Sequence, residues 1–176
     1  MKRSRINGVI ERAEETIAAH GWCLPPVAAW SPQQFRDRRQ AAARVIEAGI
    51  GWDVTDYGLE RFDAVGLVLF TLRNGSLAEL RRGGGMVYAE KLLISRRDQV
   101  SPMHRHVVKV EDIINRGGAT LAVELFGADP AGAFAADRGG RVACDGVVLD
   151  YRPGEVLRLA PGESVTLRPN DWHAFW

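Results

Sequence analysis

Residues 142–167 read VACDGVVLDYRPGEVLRLAPGESVTL, and this stretch decides the fold class. Runs of β-branched and aliphatic residues alternate in it with pairs of turn-forming residues, Asp145-Gly146, Pro153-Gly154 and Pro161-Gly162. Short strands at this spacing, with no helix between them, indicate an antiparallel sandwich or barrel. The strands predicted here are 142–143, 147–151, 156–159 and 164–167.

Further runs of the same kind extend the β region towards the N-terminus. Residues 66–73 (GLVLFTLR) predict a buried strand that ends in a tight turn at Asn74-Gly75. Residues 86–95 and 119–126 predict two more strands. We therefore expect a mainly β fold, with an antiparallel β-barrel over residues 61–176.

The preceding residues, 1–60, are predicted to form a helical extension that packs on the barrel. Apolar residues recur at three- and four-residue steps over residues 3–20, which indicates an amphipathic helix. A second helix is predicted over residues 31–49, and residues 52–58 follow no regular pattern. Both parts belong to one predicted domain, residues 1–176.

The composition excludes some classes of partner. Lys and Arg number 23 against 22 Asp and Glu, so no basic surface for nucleic acid is predicted. No stretch approaches the roughly 20 apolar residues that span a bilayer, and the basic start of the chain is followed by a mixed helix rather than an apolar core. We expect a cytoplasmic protein with no membrane partner. Cys23 and Cys144 are expected to be reduced thiols.

Three of the four histidines form a constellation with one acidic residue: His104, His106, Glu111 and His173. Alternate side chains of a strand share a face, so the HxH pair is predicted to point both rings to one side of a sheet. Glu111 follows after enough residues for the chain to turn back. Three imidazoles and one carboxylate suit Mn, Fe, Co, Ni or Zn, and they leave coordination positions open for water or substrate. The sequence therefore predicts a divalent-metal site of the open, catalytic kind.

The same residues carry a resemblance to a known family. Residues 104–118 (HRHVVKVEDIINRGG) resemble the first cupin motif, and residues 169–173 (PNDWH) resemble the second. A closer similarity, over nearly the whole chain, is to the D-lyxose isomerase (D-lyxose ketol-isomerase) family. The stretches that carry it are 1–7 (MKRSRIN), 88–91 (YAEK), 101–104 (SPMH), 111–118 (EDIINRGG) and 159–167 (LAPGESVTL).

This resemblance implies a cupin-type jelly-roll barrel and an aldose–ketose isomerase. It implies D-lyxose and D-xylulose as substrates, D-mannose and D-fructose as a further pair, and a homodimer. The implied cofactor is a divalent metal, usually manganese, with Zn, Co, Fe or Ni as alternatives. The metal would act as a Lewis acid that stabilises an enediolate. The metal ligands carry over onto His104, His106, Glu111 and His173.

Two lysines are candidate proton-transfer residues in such a reaction. Lys109 lies two residues before Glu111 and can share the face of that ligand on an extended segment. Lys91, on the preceding predicted strand, can also point inwards. A nearby metal cation disfavours the charged form of either lysine, which suits proton transfer. Without the resemblance each is more simply a solvated strand lysine; the resemblance favours catalysis for Lys109 and leaves both interpretations open for Lys91.

Two features depart from the family pattern. Asp171 stands where the second motif usually has glycine; Asp tolerates left-handed conformations, and its carboxylate could alter the charge of the site. Chains of the resembled family continue for several tens of residues past the third histidine, whereas this sequence ends at Trp176. We expect a truncated form that lacks the usual C-terminal tail; a strand supplied by a partner subunit and a shortened, inactive relative are the alternatives. Residues 172–176 are predicted to be an apolar terminal strand with no following partner.

Two other functions fit the same ligand set. A non-haem iron dioxygenase also uses histidines and a carboxylate with open positions. A non-catalytic sugar- or metal-binding cupin would bind ligand without turnover. The position of Lys109 beside Glu111 and the length of the family match favour the isomerase.

Overall fold

The computed structural model describes every residue from Met1 to Trp176, and its sheets are antiparallel. Strands hold 33% of the residues and helices 20%, so the predicted mainly β class is confirmed as that of a cupin-like β sandwich. None of the helices combines the length and the apolar character needed to cross a bilayer. The chain divides into two compact units, Met1–Ser95 and Arg96–Trp176.

The first unit combines helices with a three-stranded sheet. Its elements are α1 (Arg3–Ala19), a 3-10 helix (Pro26–Ala29), α2 (Pro32–Asp37), α3 (Ala43–Glu47), β1 (Gly51–Thr55), β2 (Leu67–Arg73), α4 (Leu77–Leu80) and β3 (Glu90–Ile94). The strand order is β1-β2-β3. The predicted amphipathic helix is confirmed as α1, whose Val9 and Ala13 are buried in a cluster with Phe62 and Val68. The apolar face of α1 thus packs against the sheet of the first unit.

One strand of this sheet was not predicted. The expectation of an irregular segment over residues 52–58 is wrong for its first half, because β1 pairs with β2 and places Trp52 opposite Phe70. The two rings meet edge to face with centroids 5.1 Å apart. Trp52 and Val54 do alternate with a polar Asp53, but the run is too short for its periodicity to be distinctive.

The single helix predicted over residues 31–49 is also wrong, since the structure has two short helices there. The first ends at Asp37 and the second begins at Ala43. Between them the chain makes hydrogen-bonded turns, and the Arg38 guanidinium lies 4.7 Å from the centroid of the Trp30 ring. Tertiary contacts often override helix propensity in this way.

The predicted tight turn at Asn74-Gly75 does not close a two-residue hairpin, because α4 follows it before β3 returns to pair with β2. The Asn74 side chain instead donates a hydrogen bond to the Ala48 carbonyl oxygen at 2.8 Å. Any Cβ at Gly75 would collide with the Met86 carbonyl oxygen. The dipeptide therefore serves a close backbone approach, and the strand predicted over 86–95 is shorter than expected.

The second unit is built of two four-stranded antiparallel sheets. Its strands are β4 (Ser101–His104), β5 (Glu111–Ile114), β6 (Leu121–Phe126), β7 (Gly140–Cys144), β8 (Val147–Tyr151), β9 (Glu155–Leu159), β10 (Ser164–Leu167) and β11 (Trp172–Phe175). One sheet has the order β5-β10-β7-β8 and the other the order β4-β11-β6-β9. The strands predicted between residues 119 and 167 are all confirmed, with shifted ends. The β7–β8 hairpin turns at Asp145-Gly146, where φ is 48° and 84°, as a turn of the primed type requires.

The last strand contradicts the prediction of a partnerless terminal strand. β11 lies inside its sheet, paired with β4 on one side and β6 on the other. His173, Ala174 and Phe175 are buried, and Trp176 exchanges two backbone hydrogen bonds with Ala122. The prediction took spatial order from chain order, whereas in this sheet the final strand is inserted between two earlier ones. Its apolar character is the consequence of that central position.

Candidate metal centre

Two of the predicted ligands are held by neighbouring strands. His104 is the last residue of β4 and His173 lies in β11, where the antiparallel register places the two opposite each other. Their rings are close, with centroids 4.2 Å apart. Leu125 of β6, which is fully buried, stands opposite His173 on the other side. Cross-strand partners share a face, so these three side chains form a row directed into the interior of the second unit.

The other two ligands approach from outside that sheet. The prediction that the HxH pair lies on one strand is wrong, because β4 ends at His104 and His106 belongs to the loop that follows. Its ring nonetheless reaches the site, with Nε2 at 2.8 Å from Glu111 Oε2. Glu111 is the first residue of β5, in the other sheet of the same unit. The site therefore spans the two sheets.

The donor atoms lie nearly as close together as a metal centre requires. One ligand atom from each of the four residues lies within 4.8 Å of the others. Donors on a shell with bonds of about 2.1 Å lie at most about 4.2 Å apart, so a slight contraction would close the shell. His173 Nε2 is buried and has no hydrogen-bond partner, and it lies 3.6 Å from Glu111 Oε2. A buried polar nitrogen without a partner is costly, and a bound cation between these atoms would satisfy it.

The ring orientations also leave the right nitrogens free. His104 Nδ1 lies 2.7 Å from the Pro102 carbonyl oxygen, and His173 Nδ1 lies 3.0 Å from that of Asp171. Since a carbonyl oxygen only accepts, each Nδ1 carries a proton, and in the neutral ring this leaves the lone pair on Nε2. Backbone partners of this kind commonly fix the tautomer of metal-binding histidines.

The protonation states fit the same purpose. Burial lowers the pKa of His104 and of His106 below the usual value, which favours the neutral, ligating form. For Glu111, burial alone would raise the pKa, but the Lys109 ammonium bonded to Oε1 outweighs it and holds the pKa below the usual range. The site thus presents neutral rings at His104 and His106 and an ionised carboxylate at Glu111 at neutral pH.

Lys109 shares the side of the site on which Glu111 lies, as predicted. It belongs to the loop between β4 and β5 rather than to a strand, and its Nζ donates a hydrogen bond to Glu111 Oε1 at 2.8 Å. The carboxylate is therefore divided, with Oε1 bound to the lysine and Oε2 facing the histidines. The lysine side chain is half exposed, so its ammonium borders both the ligand cluster and solvent.

Lys91, the second candidate lysine, lies in β3 of the first unit opposite Thr71, and it is exposed. The four ligands and Lys109 all belong to the second unit. The structure thus brings Lys109 together with the ligands, and the role of Lys91 stays a prediction.

The turn before His173 assigns different tasks to Asn170 and Asp171 from those expected. The left-handed residue is Asn170, with φ of 74°, rather than Asp171. The Asp171 carboxylate accepts a hydrogen bond from the Arg168 backbone N–H at 2.7 Å and so closes the turn. Burial raises the pKa of Asp171. Asp171, which stands where the motif usually has glycine, therefore uses its side chain to cap the turn.

One residue near the site was missed at the sequence level. Arg105 stands between two ligands, and its guanidinium reaches Asn170 and the ring of Trp172. The only available signal was the alternation expected of an HxH pair on a strand, and the pair does not lie on one strand. No feature of the sequence alone indicated which residues it would meet.

Comparison with known proteins adds evidence that is independent of this geometry. A profile of the D-lyxose isomerase family matches residues 1–176. The D-lyxose/D-mannose isomerase of Escherichia coli O157:H7 is 45% identical over 179 residues, which cover 100% of this chain and 77% of that protein. The protein of the same name from Serratia proteamaculans is 43% identical over 177 residues, which cover 100% of this chain and 76% of that protein.

Proposed function

The chain belongs to the D-lyxose isomerase family and is an aldose–ketose isomerase, and on that premise we propose that it interconverts D-lyxose and D-xylulose at a divalent-metal centre. D-Mannose and D-fructose are the proposed second pair, because both relatives are named D-lyxose/D-mannose isomerase. The family match favours this function over an iron dioxygenase or a non-catalytic binding protein.

The observation that carries the metal dependence is the unpartnered Nε2 of His173, buried and directed at Glu111 within the four-residue cluster. His104, His106, Glu111 and His173 are the proposed ligands. Three nitrogens and one oxygen suit several divalent metals, and manganese is proposed because the resembled family usually uses it. A bound metal would supply a Lewis acid for the adjacent oxygens of the sugar.

The proton transfers are proposed to fall to Lys109. Isomerisation removes a proton from C2 of the aldose and delivers one to C1, so Lys109 would take the C2 proton as a free amine and return a proton to C1 from the ammonium so formed. The Lys109 ammonium is anchored on Glu111 Oε1 at 2.8 Å, which keeps it at the edge of the ligand cluster. By occupying Oε1, it also leaves Oε2 as the oxygen directed at the histidines.

Three further assignments belong to the proposal. Lys91 is proposed as a second proton-transfer residue on the strength of the family resemblance. A homodimer is the proposed assembly, and the cytoplasm is the proposed location. Size-exclusion chromatography with light scattering tests the assembly, and replacement of Lys91 by Met tests its role in turnover.

The experiment that tests the function is a ketose assay on a panel of aldopentoses and aldohexoses. The protein is stripped with a chelator and then supplied with Mn²⁺, Zn²⁺, Co²⁺, Fe²⁺ or Ni²⁺ in parallel. We expect D-xylulose from D-lyxose above all other products, with D-fructose from D-mannose next. Metal binding without ketose from any sugar would contradict the proposal, and oxygen uptake with Fe²⁺ would favour the dioxygenase.

A further inference from the structure

Arg105 makes contacts that the proposed isomerase mechanism does not involve. It stands between His104 and His106, yet its guanidinium donates a hydrogen bond to Asn170 Oδ1. The same guanidinium lies 5.6 Å from the centroid of the Trp172 ring. Both contacts belong to the segment that leads into His173. Arg105 therefore joins the two parts of the chain that carry the histidine ligands.

A second bond joins the same two parts through the backbone. The Asn170 N–H donates to the His106 carbonyl oxygen at 2.8 Å. Asn170 is left-handed, with φ of 74°, a conformation that Asn tolerates better than most residues. Its side chain and its amide thus face the HxH segment together. We call Arg105, Asn170 and their two bonds the tether.

The loop before β7 closes over the tether. A Cβ at Gly132 would lie 2.7 Å from Arg105 Nη1 and 2.9 Å from Asn170 Oδ1, so only glycine fits without displacement. The Gly132 carbonyl oxygen also accepts a hydrogen bond from Trp172 Nε1 at 3.2 Å. The loop itself is fixed by Asp129, whose Oδ1 accepts the N–H of Ala131 and of Ala133, each at 2.8 Å. On the side of Gly132, the tether is therefore covered by a loop that is itself held by hydrogen bonds.

Strand pairing by itself leaves the ligands incompletely positioned. The β4–β11 register shifts between His173 and Phe175, directly beside the buried ligand. β4 ends at His104, so His106 has no ladder to hold it. The tether therefore links His106, which has no strand pairing, to the segment before His173, where the strand pairing is irregular.

We propose that Arg105 is a positioning residue that, through Asn170, holds His106 and His173 at the spacing the metal requires. The inference rests on the proposed metal centre. The alternative is a purely electrostatic role for Arg105. The two roles predict opposite changes in metal affinity when Arg105 is replaced. A guanidinium charge repels a nearby cation, so loss of the charge alone would strengthen metal binding, whereas loss of the tether weakens it.

Four substitutions in the tether and one control separate these effects. Arg105→Met removes both charge and tether, whereas Arg105→Lys keeps the charge but lacks the planar fork that bonds Asn170 and packs on Trp172. Asn170→Gly keeps the left-handed backbone and removes the acceptor. Asn170→Asp keeps the acceptor oxygen and is the conservative variant that is expected to keep Mn²⁺ binding. Arg141→Met, which breaks an exposed pair with Asp150 in the same unit, is the matched control.

The test is calorimetric titration of each chelator-stripped full-length variant with Mn²⁺, together with the visible spectrum of its Co²⁺ form. We expect Arg105→Met, Arg105→Lys and Asn170→Gly each to weaken Mn²⁺ binding on the order of tenfold to a hundredfold and to change the Co²⁺ bands. Asn170→Asp, which keeps the acceptor and adds a negative charge, should bind Mn²⁺ at least as tightly as the unmodified chain, and Arg141→Met should match it. Because Arg105 and Asn170 act as one unit, Arg105→Lys combined with Asn170→Gly should be no worse than either change alone.

Metal-free melting temperatures separate positioning from folding, and they are expected to stay within a few degrees of the unmodified chain. Unchanged Mn²⁺ affinity and Co²⁺ spectra in the tether variants would overturn the inference alone. So would Arg105→Lys behaving as the unmodified chain, or loss of folding in every tether variant with Asn170→Asp included. Absence of metal binding by the unmodified chain would instead overturn the proposed metal centre, and the inference with it.

Discussion

The candidate metal centre has a strand-held half and a loop-held half, and the two are fixed by different forces. His104 and His173 are neighbours in a sheet, with the buried Leu125 completing their row. His106 and Lys109 lie in the loop between β4 and β5, where Val108 is 66% exposed. Backbone pairing and apolar burial position the first half, whereas single hydrogen bonds, most of them from side chains, position the second. The same site therefore combines a rigid wall with an edge that borders solvent.

The largest expected effect comes from the strand-held half. His173→Ala should weaken Mn²⁺ binding by more than the roughly hundredfold seen for residues behind the ligands, and ketose formation should fall to background. The reason is that a fully buried donor without a partner has no substitute nearby. Calorimetric Mn²⁺ titration and a D-xylulose assay measure the two effects. His20→Ala, which removes the exposed histidine of α1's C-terminal end, is the control; equal losses in both variants would contradict the assignment.

A substitution of Lys109, in the loop-held half, should lower turnover rather than weaken metal binding. Lys109→Met removes the proposed proton carrier and leaves the four ligands in place, so kcat should fall about 10²- to 10⁴-fold. Mn²⁺ affinity should stay the same or rise, because a positive charge is lost beside Glu111. Steady-state kinetics with D-lyxose, together with Mn²⁺ titration, separate these effects. Loss of metal binding with kcat unchanged at saturating Mn²⁺ would give Lys109 a supporting role in place of a catalytic one.

The smallest expected effects concern stability, and they compare the two halves directly. Leu125→Ala removes a side chain that is 0% exposed and should lower the free energy of unfolding by about 2–5 kcal/mol. Val108→Ala, in the exposed loop, should change it by less than about 0.5 kcal/mol. Urea denaturation of the metal-free forms measures both values. If the two changes were equally destabilising, the contrast between a rigid wall and an open edge would be wrong.

The sequence predicted the residues of the cluster and the later strands better than it predicted which of them are neighbours in space. The four residues that cluster were predicted from residue type and spacing, and the strands between residues 119 and 167 were predicted from their turn dipeptides. Which strands are neighbours did not follow, since β11 lies between β4 and β6 and no local pattern encodes that order. The Arg105–Asn170 bond joins residues 65 apart in the chain, so it too was invisible before the fold was known. Short-range signals predict elements, and long-range contacts decide how the elements meet.

The central claim is that the four-residue cluster is the metal centre of a sugar isomerase, and one measurement tests it most directly. Mn²⁺ is titrated into the chelator-stripped protein while D-xylulose formation from D-lyxose is followed. We predict no ketose before addition and a rise that parallels Mn²⁺ occupancy, reaching its plateau at one ion per chain. Full activity in the stripped protein, or saturation with one ion per chain and no D-xylulose, would contradict the account.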